Sequence, residues 1–89
     1  MTYTIEFSAT AEKSFRKLPR GIQEYFSNKF DTLRNNPCPE FSSKLKPYKD
    51  VYRIRHGDYR MVYRVIDNSL LVLIIRVGHR KEVYQKLFR

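Results

Sequence analysis

Cysteine is almost missing from this chain. Cys38 stands alone in 89 residues, which excludes an internal disulfide and any zinc site built from cysteines. Histidine is nearly as scarce, His56 and His79 being the two present, so a structural metal site is not expected. Long apolar runs are lacking too: the longest, Leu70 to Ile75, is far below the roughly twenty residues of a membrane helix. The opening Met1-Thr2-Tyr3-Thr4 has neither the basic stretch nor the apolar segment of a signal peptide. A soluble, cytoplasmic protein with no membrane partner is the expectation. No repeat or low-complexity segment divides the chain, and its length suits one domain spanning 1–89. Such a core is too small to surround a deep cleft, so any active site should be a shallow surface groove.

Acidic residues are the other shortage, with 9 Asp+Glu against 18 Lys+Arg and a formal charge of +9. The imbalance is one-sided. Residues 1–43 carry six basic and five acidic side chains, whereas residues 44–89 carry twelve and four, a net of +8 in the C-terminal half. A field of that shape attracts a polyanion. Nucleic acid ranks ahead of membrane because no basic amphipathic helix accompanies the charge. An acidic protein partner would satisfy the same field.

Periodicity orders the elements. Tyr3, Ile5 and Phe7 alternate with Thr2, Thr4 and Glu6 as in a strand with one buried face. Ser8 or Thr10 can cap a following helix whose Ala11, Phe15 and Leu18 form one stripe. Pro19 suits the first turn of a second helix, with Ile22, Tyr25, Phe26, Phe30 and Leu33 on its apolar side and a stop near Asn35-Asn36-Pro37. Residues 36–50 hold Pro37, Pro39 and Pro47 and read as a connecting loop, in which Cys38 is an inert residue. Beyond residue 50 come a hairpin, a turn at Asp67-Asn68-Ser69, an apolar strand from Leu70 to Val77, and a short helix from Lys81 to Phe88 with Val83 and Leu87 on one side. The fold class expected is α+β: a small antiparallel sheet of about four strands, two N-terminal helices packed on one face, and the other face wet.

The hairpin carries the chemistry. Arg53 and Arg55 project to one face of their strand, Tyr52 and Ile54 to the other. His56-Gly57-Asp58 reads as the turn, Gly57 supplying a positive φ, and the chain returns with Arg60, Val62 and Arg64 on one side. With the aromatic side buried, Arg53, Arg55 and Arg60 should lie together in the open, where guanidinium forks hold phosphate by paired hydrogen bonds. Arg64 and Arg76 are expected to snorkel from the sheet edges. Lys44, Lys46 and Lys49 should add long-range attraction for nucleic acid.

The segments YTIEFSATAEKSFRKLP, KLKPYKDVYRIRHGDYRMVYRV and VGHRKEVYQKL, in this order and spacing, resemble the RelE/ParE superfamily of toxin–antitoxin toxins over almost the whole chain. The RelE branch implies cleavage of messenger RNA in the ribosomal A site, held in check by a cognate antitoxin. It also implies functional roles at Arg53, Arg55, Arg60, Arg80 and Tyr84. The reaction would be attack of a ribose 2′-hydroxyl on the adjacent phosphorus, an internal nucleophile that requires neither metal nor small-molecule cofactor. Arg60 and Arg80 are assigned to the phosphorane charge, and Arg53 and Arg55 to the 2′-hydroxyl or to holding phosphates in line. Some relatives have lysines where Arg53 and Arg55 stand, and arginine does not act as a base. Tyr84 is the candidate for proton movement or base stacking, with His79 as an accessory whose ordinary pKa, about 6.5, suits the task. The superfamily also holds ParE-like gyrase inhibitors on the same fold. A gyrase poison and an inactive binding module therefore remain alternatives.

Overall fold

The computed structural model describes residues 2–87, with side chains to residue 85. A first strand, β1 (Thr4–Phe7), leads into three helices, α1 (Ala9–Arg16), α2 (Arg20–Ser27) and α3 (Phe30–Asn35). Four more strands follow: β2 (Ser42–Lys44), β3 (Val51–His56), β4 (Tyr59–Ile66) and β5 (Leu71–His79), and the helix α4 (Arg80–Leu87) ends the described chain. The strands form one sheet in the order β1-β5-β4-β3-β2, antiparallel except for the parallel pair β1 and β5.

Ser8 caps α1, its Oγ accepting from the Ala11 N–H at 3.1 Å, and Thr10 lies inside the helix. Gln23 closes the other end of α1, its amide nitrogen within 3.0–3.1 Å of the Phe15, Arg16 and Leu18 carbonyls. The single second helix expected from the apolar stripe is two. A turn at Asn28–Lys29, closed by the Lys29 N–H on the Phe26 carbonyl at 3.0 Å, separates α2 from α3. Phe26 and Leu33 are both fully buried on either side of this break. Phe30 turns onto Phe7 edge to face, the ring centroids 5.8 Å apart, and Phe15 meets Phe7 in the same way at 5.2 Å.

The main core lies between these helices and one sheet face. Ala11, Leu18, Phe26 and Leu33 meet Ile54, Met61, Tyr63, Val72, Ile74 and Val77. Alternation along β3 and β4 sorts the hairpin as expected, aromatics inward and arginines to the opposite face. His56 is not part of the turn: it ends β3 and stacks on Tyr25 of α2 with ring centroids 3.7 Å apart. Gly57, at φ 58°, and Asp58 make the two-residue turn.

The α+β class and the helix-covered face stand, with three differences in detail. The sheet has a fifth strand, because Ser42–Lys44 pair with the outer edge of β3 and satisfy backbone groups that a loop would leave to water. β1 runs parallel to its neighbour, because the three helices between it and the later strands carry the chain back across the sheet. The second face is only partly wet. Leu45, Val51, Val62 and Val83 form a smaller buried cluster there, with Tyr48, Ile75 and Tyr84 against it. The tail is helical as expected. The place of Leu87 on its apolar side and the end at Phe88 lie outside the described residues.

Candidate phosphate-binding site

Strand register places the arginines on the face that α4 crosses. Arg55 of β3 lies directly across from Arg60 of β4, and Arg60 from Gly78 of β5. One step along, Arg53 faces Val62, and Val62 faces Arg76. These rows are two residues apart along the strands, about 6.7 Å. Gly78 has φ 154°, a backbone conformation that favours glycine, and a Cβ there would make only ordinary contact with Val83 of α4 at 3.7 Å.

Each guanidinium has a distinct setting. Arg55 is exposed. Arg60, expected in the open, is 8% exposed because its side chain folds back along the hairpin, NH1 donating to the carbonyls of Gly57 at 2.7 Å and Tyr59 at 2.8 Å. Arg53 is half-buried and donates to the Tyr84 hydroxyl at 2.7 Å. Arg80 opens α4 at the hairpin end of the sheet: its backbone N–H donates to the Asp58 carbonyl at 2.7 Å and its Nε lies 3.8 Å from the Asp58 carboxylate. Of the sequence-derived set, Arg53, Arg55, Arg60 and Tyr84 are therefore gathered on one face, with Arg80 at its rim.

Other candidates lie elsewhere. His79 pairs with Tyr59 across the strands, and both side chains point to the α1 side. There His79 lines a cavity of about 310 Å³ with Ser14, Lys17, Tyr59 and Glu82, and its Nδ1 accepts from the Lys81 N–H at 3.3 Å. The sheet lies between its side chain and those of Arg53, Arg55 and Arg60. Lys44 shares the Tyr52 face rather than the Arg53 face. Lys46 is exposed in the following loop, and Lys49 sits at the far end of β3 from the hairpin. A larger cavity, about 520 Å³, opens at that far end among Lys49, Asp50, Arg64 and Asp67. Its charges have both signs and converge on no single ligand type.

Sequence reading missed two participants. Asp58 holds Arg80 through the backbone and the side chain, and only the hairpin geometry brings them together. Arg76 is not at a sheet edge: β5 is flanked by β1 and β4, and Arg76 belongs to the arginine face. Among the described residues no carboxylate pairs with Arg53, Arg55, Arg60 or Arg76. Two cations directly across a strand pair repel each other unless an anion lies between them. The arrangement is thus chemically suited to a phosphate chain, with the hydrogen-bond donors of Arg53, Arg55 and Arg60 on one face and the Asp58 carboxylate at the rim beside Arg80.

The shifted tyrosines belong to the other face and take no part in this site. A hydrogen bond with Cys38, then burial, pushes Tyr52 up to about 12. Burial raises Tyr63 further; its hydroxyl donates to the Pro37 carbonyl at 2.7 Å. Both stay protonated at neutral pH and serve the core.

Three comparisons place this geometry among known proteins. The family model described as ParE toxin of the type II toxin–antitoxin system, parDE, matches residues 5–84. The mRNA interferase toxin RelE of Escherichia coli (strain K12) is 37% identical, the alignment covering 97% of this chain and 94% of that protein. Among solved structures, a mutant of the E. coli toxin RelE in the free state superposes with a TM-score of 0.83 at 35% identity, over 96% of this chain and 93% of that one. A chain of the intact E. coli RelBE toxin–antitoxin complex gives 0.79 at 34% identity, covering 86% and 95%. With the match running through the hairpin and α4 that carry the arginines, the chain belongs to the ParE/RelE family of toxins of type II toxin–antitoxin systems.

Proposed function

We propose that this toxin is a ribosome-dependent endoribonuclease that cleaves messenger RNA in the A site and so stops translation in the cytoplasm. The observation that carries the reading is the arginine face itself: Arg53, Arg55 and Arg60 side by side, without a carboxylate partner among the described residues, and Arg80 at the rim. A 2′-hydroxyl attacks the neighbouring phosphorus, the bond to the 5′-oxygen breaks, and the products are a 2′,3′-cyclic phosphate and a 5′-hydroxyl. Charge builds on the non-bridging oxygens, where the guanidinium groups of Arg60 and Arg80 stabilise it. NH1 of Arg60 is held by two carbonyls, so its orientation is fixed before RNA arrives. Tyr84, anchored by Arg53, moves a proton or stacks on a base. Lys44, Lys46 and Lys49 contribute to the long-range field that draws RNA to the C-terminal half.

In this reading the whole chain, 1–89, works as one toxin domain, and the ribosome supplies the orientation that free RNA lacks. Its cognate antitoxin is acidic or amphipathic and covers the positive half or displaces α4. The relative named for its RelBE complex and the one named mRNA interferase support both halves of the proposal. The ParE description of the matching family favours a second reading, inhibition of DNA gyrase by binding. Brief induction without antitoxin separates them. We expect incorporation of labelled methionine to collapse first, with new mRNA 5′ ends inside codons; an initial collapse of thymidine incorporation with translation spared would move the protein to the gyrase class.

A further inference from the structure

Strict alternation along β5 would bury Arg76. Ile74 and Val77 both belong to the core beneath the helices, and two residues rather than one lie between them. The register shows how the chain accommodates this: Val62 is opposite Arg76 and Tyr63 opposite Ile74, so Ile75 is an extra residue in a β-bulge. Ile75 packs into the cluster under α4, and Arg76, across from Val62, emerges on the same face. A bulge in a central strand disrupts the ladder, and here its effect is to move one cation out of the core and into the row of Arg53.

Three side chains on this face share a further property. The Nε atoms of Arg53, Arg60 and Arg76 are all enclosed and without a hydrogen-bond partner. In each case the terminal nitrogen is turned onto a nearby oxygen: the Tyr84 hydroxyl for Arg53, the Gly57 and Tyr59 carbonyls for Arg60, and the Ile75 carbonyl at 2.9 Å for Arg76. An enclosed, unsatisfied donor is unfavourable, and a turn of the guanidinium that brings Nε and a terminal nitrogen together onto two oxygens of one anion would satisfy it.

Resting on the RNA-cleaving reading above, we propose that Arg76 is an RNA-binding residue of the same site, holding the phosphate next to the one engaged by Arg60. Arg76 lies diagonally from Arg60, two residues along and one strand across, roughly 7–8 Å away at the backbone, and successive phosphates of an extended single strand are comparably spaced. Arg76 therefore sets the register of the RNA over the reacting group rather than stabilising the phosphorane. Its loss is felt in binding, KM rising while the single-turnover rate at saturation holds.

The test uses the purified chain and a short RNA with 2′-O-methyl groups, which binds but cannot be cut. In the nitrogen-labelled protein, the Nε–H resonances of Arg53, Arg60 and Arg76 are followed as this RNA is added; all three are expected to shift. Arg76→Met keeps an apolar stem of similar length over the bulge and removes the charge. Affinity for the RNA should drop about tenfold, and the slope of log affinity against log salt should decrease by about 0.7, one phosphate contact on a single strand. A purely structural role would leave that slope alone. If Arg53 and Arg60 shift but Arg76 does not, and the slope is unchanged, the inference about Arg76 is wrong and the cleavage site stands. If none of the three resonances moves, the RNA-binding reading of the whole face falls with it.

Discussion

Replacing Arg60 by alanine acts on catalysis and on stability through different contacts, so the two effects are measured side by side. For catalysis, the guanidinium is a fixed charge at the phosphorane. Loss of such a stabiliser costs about a hundredfold or more in rate, or about 2.7 kcal/mol. For stability, two contributions oppose each other. The variant loses two charge-assisted bonds to the Gly57 and Tyr59 carbonyls, each worth about 1.5–3 kcal/mol. It also removes a nearly buried cation that has an unsatisfied Nε and, among the described residues, no carboxylate partner, which returns about 1–3 kcal/mol. The difference is a net destabilisation between about 0 and about 5 kcal/mol, each 1 kcal/mol lowering Tm by about 4–8 °C in a chain of this size. Single-turnover cleavage on programmed ribosomes, run beside urea unfolding of the same preparations, measures both. Arg80→Ala should lose a similar factor in rate with less effect on stability, since its ion pair with Asp58 is long and exposed. Full cleavage by folded Arg60→Ala and Arg80→Ala would refute the assignment of the phosphorane charge to these residues.

Two other outcomes follow from the geometry. The bond from Arg53 to the Tyr84 hydroxyl makes these residues a unit, so Tyr84→Phe and Arg53→Ala should each slow cleavage about tenfold or more, and the double variant should lose far less than the product of the two; independent effects would mean that the bond plays no part in the reaction. Tyr52 and Tyr63 titrate late, because the fold favours their protonated forms: that stability is complete below the ordinary phenol pKa of about 10 and is lost as pH rises through the raised values. Tyrosinate absorbance should rise in two stages, the later coinciding with alkaline unfolding, and Tyr63→Phe should flatten the decline in stability above about pH 10; a single stage below the unfolding transition would contradict the assigned burial.

Much of this protein is determined by the sequence alone, because the features involved are local. The alternation of Tyr52, Arg53, Ile54 and Arg55 and the glycine at position 57 specify a hairpin with its arginines on one face, since a strand has a period of two whatever its neighbours do. The stripes of α1 and α2 and the Ser8 cap are equally local. Tertiary structure decided what depends on distant partners. That Ser42–Lys44 become a strand follows from the open edge of β3, and that β1 runs parallel follows from where three helices return the chain. The burial of Arg60 depends on carbonyls of the turn it faces, and His79 is parted from the arginines because it is inward at the last residue of β5. Arg76 is the sharpest case: one extra residue at a bulge reverses its face, and register between two strands is a property of their pairing, which no single strand's sequence carries.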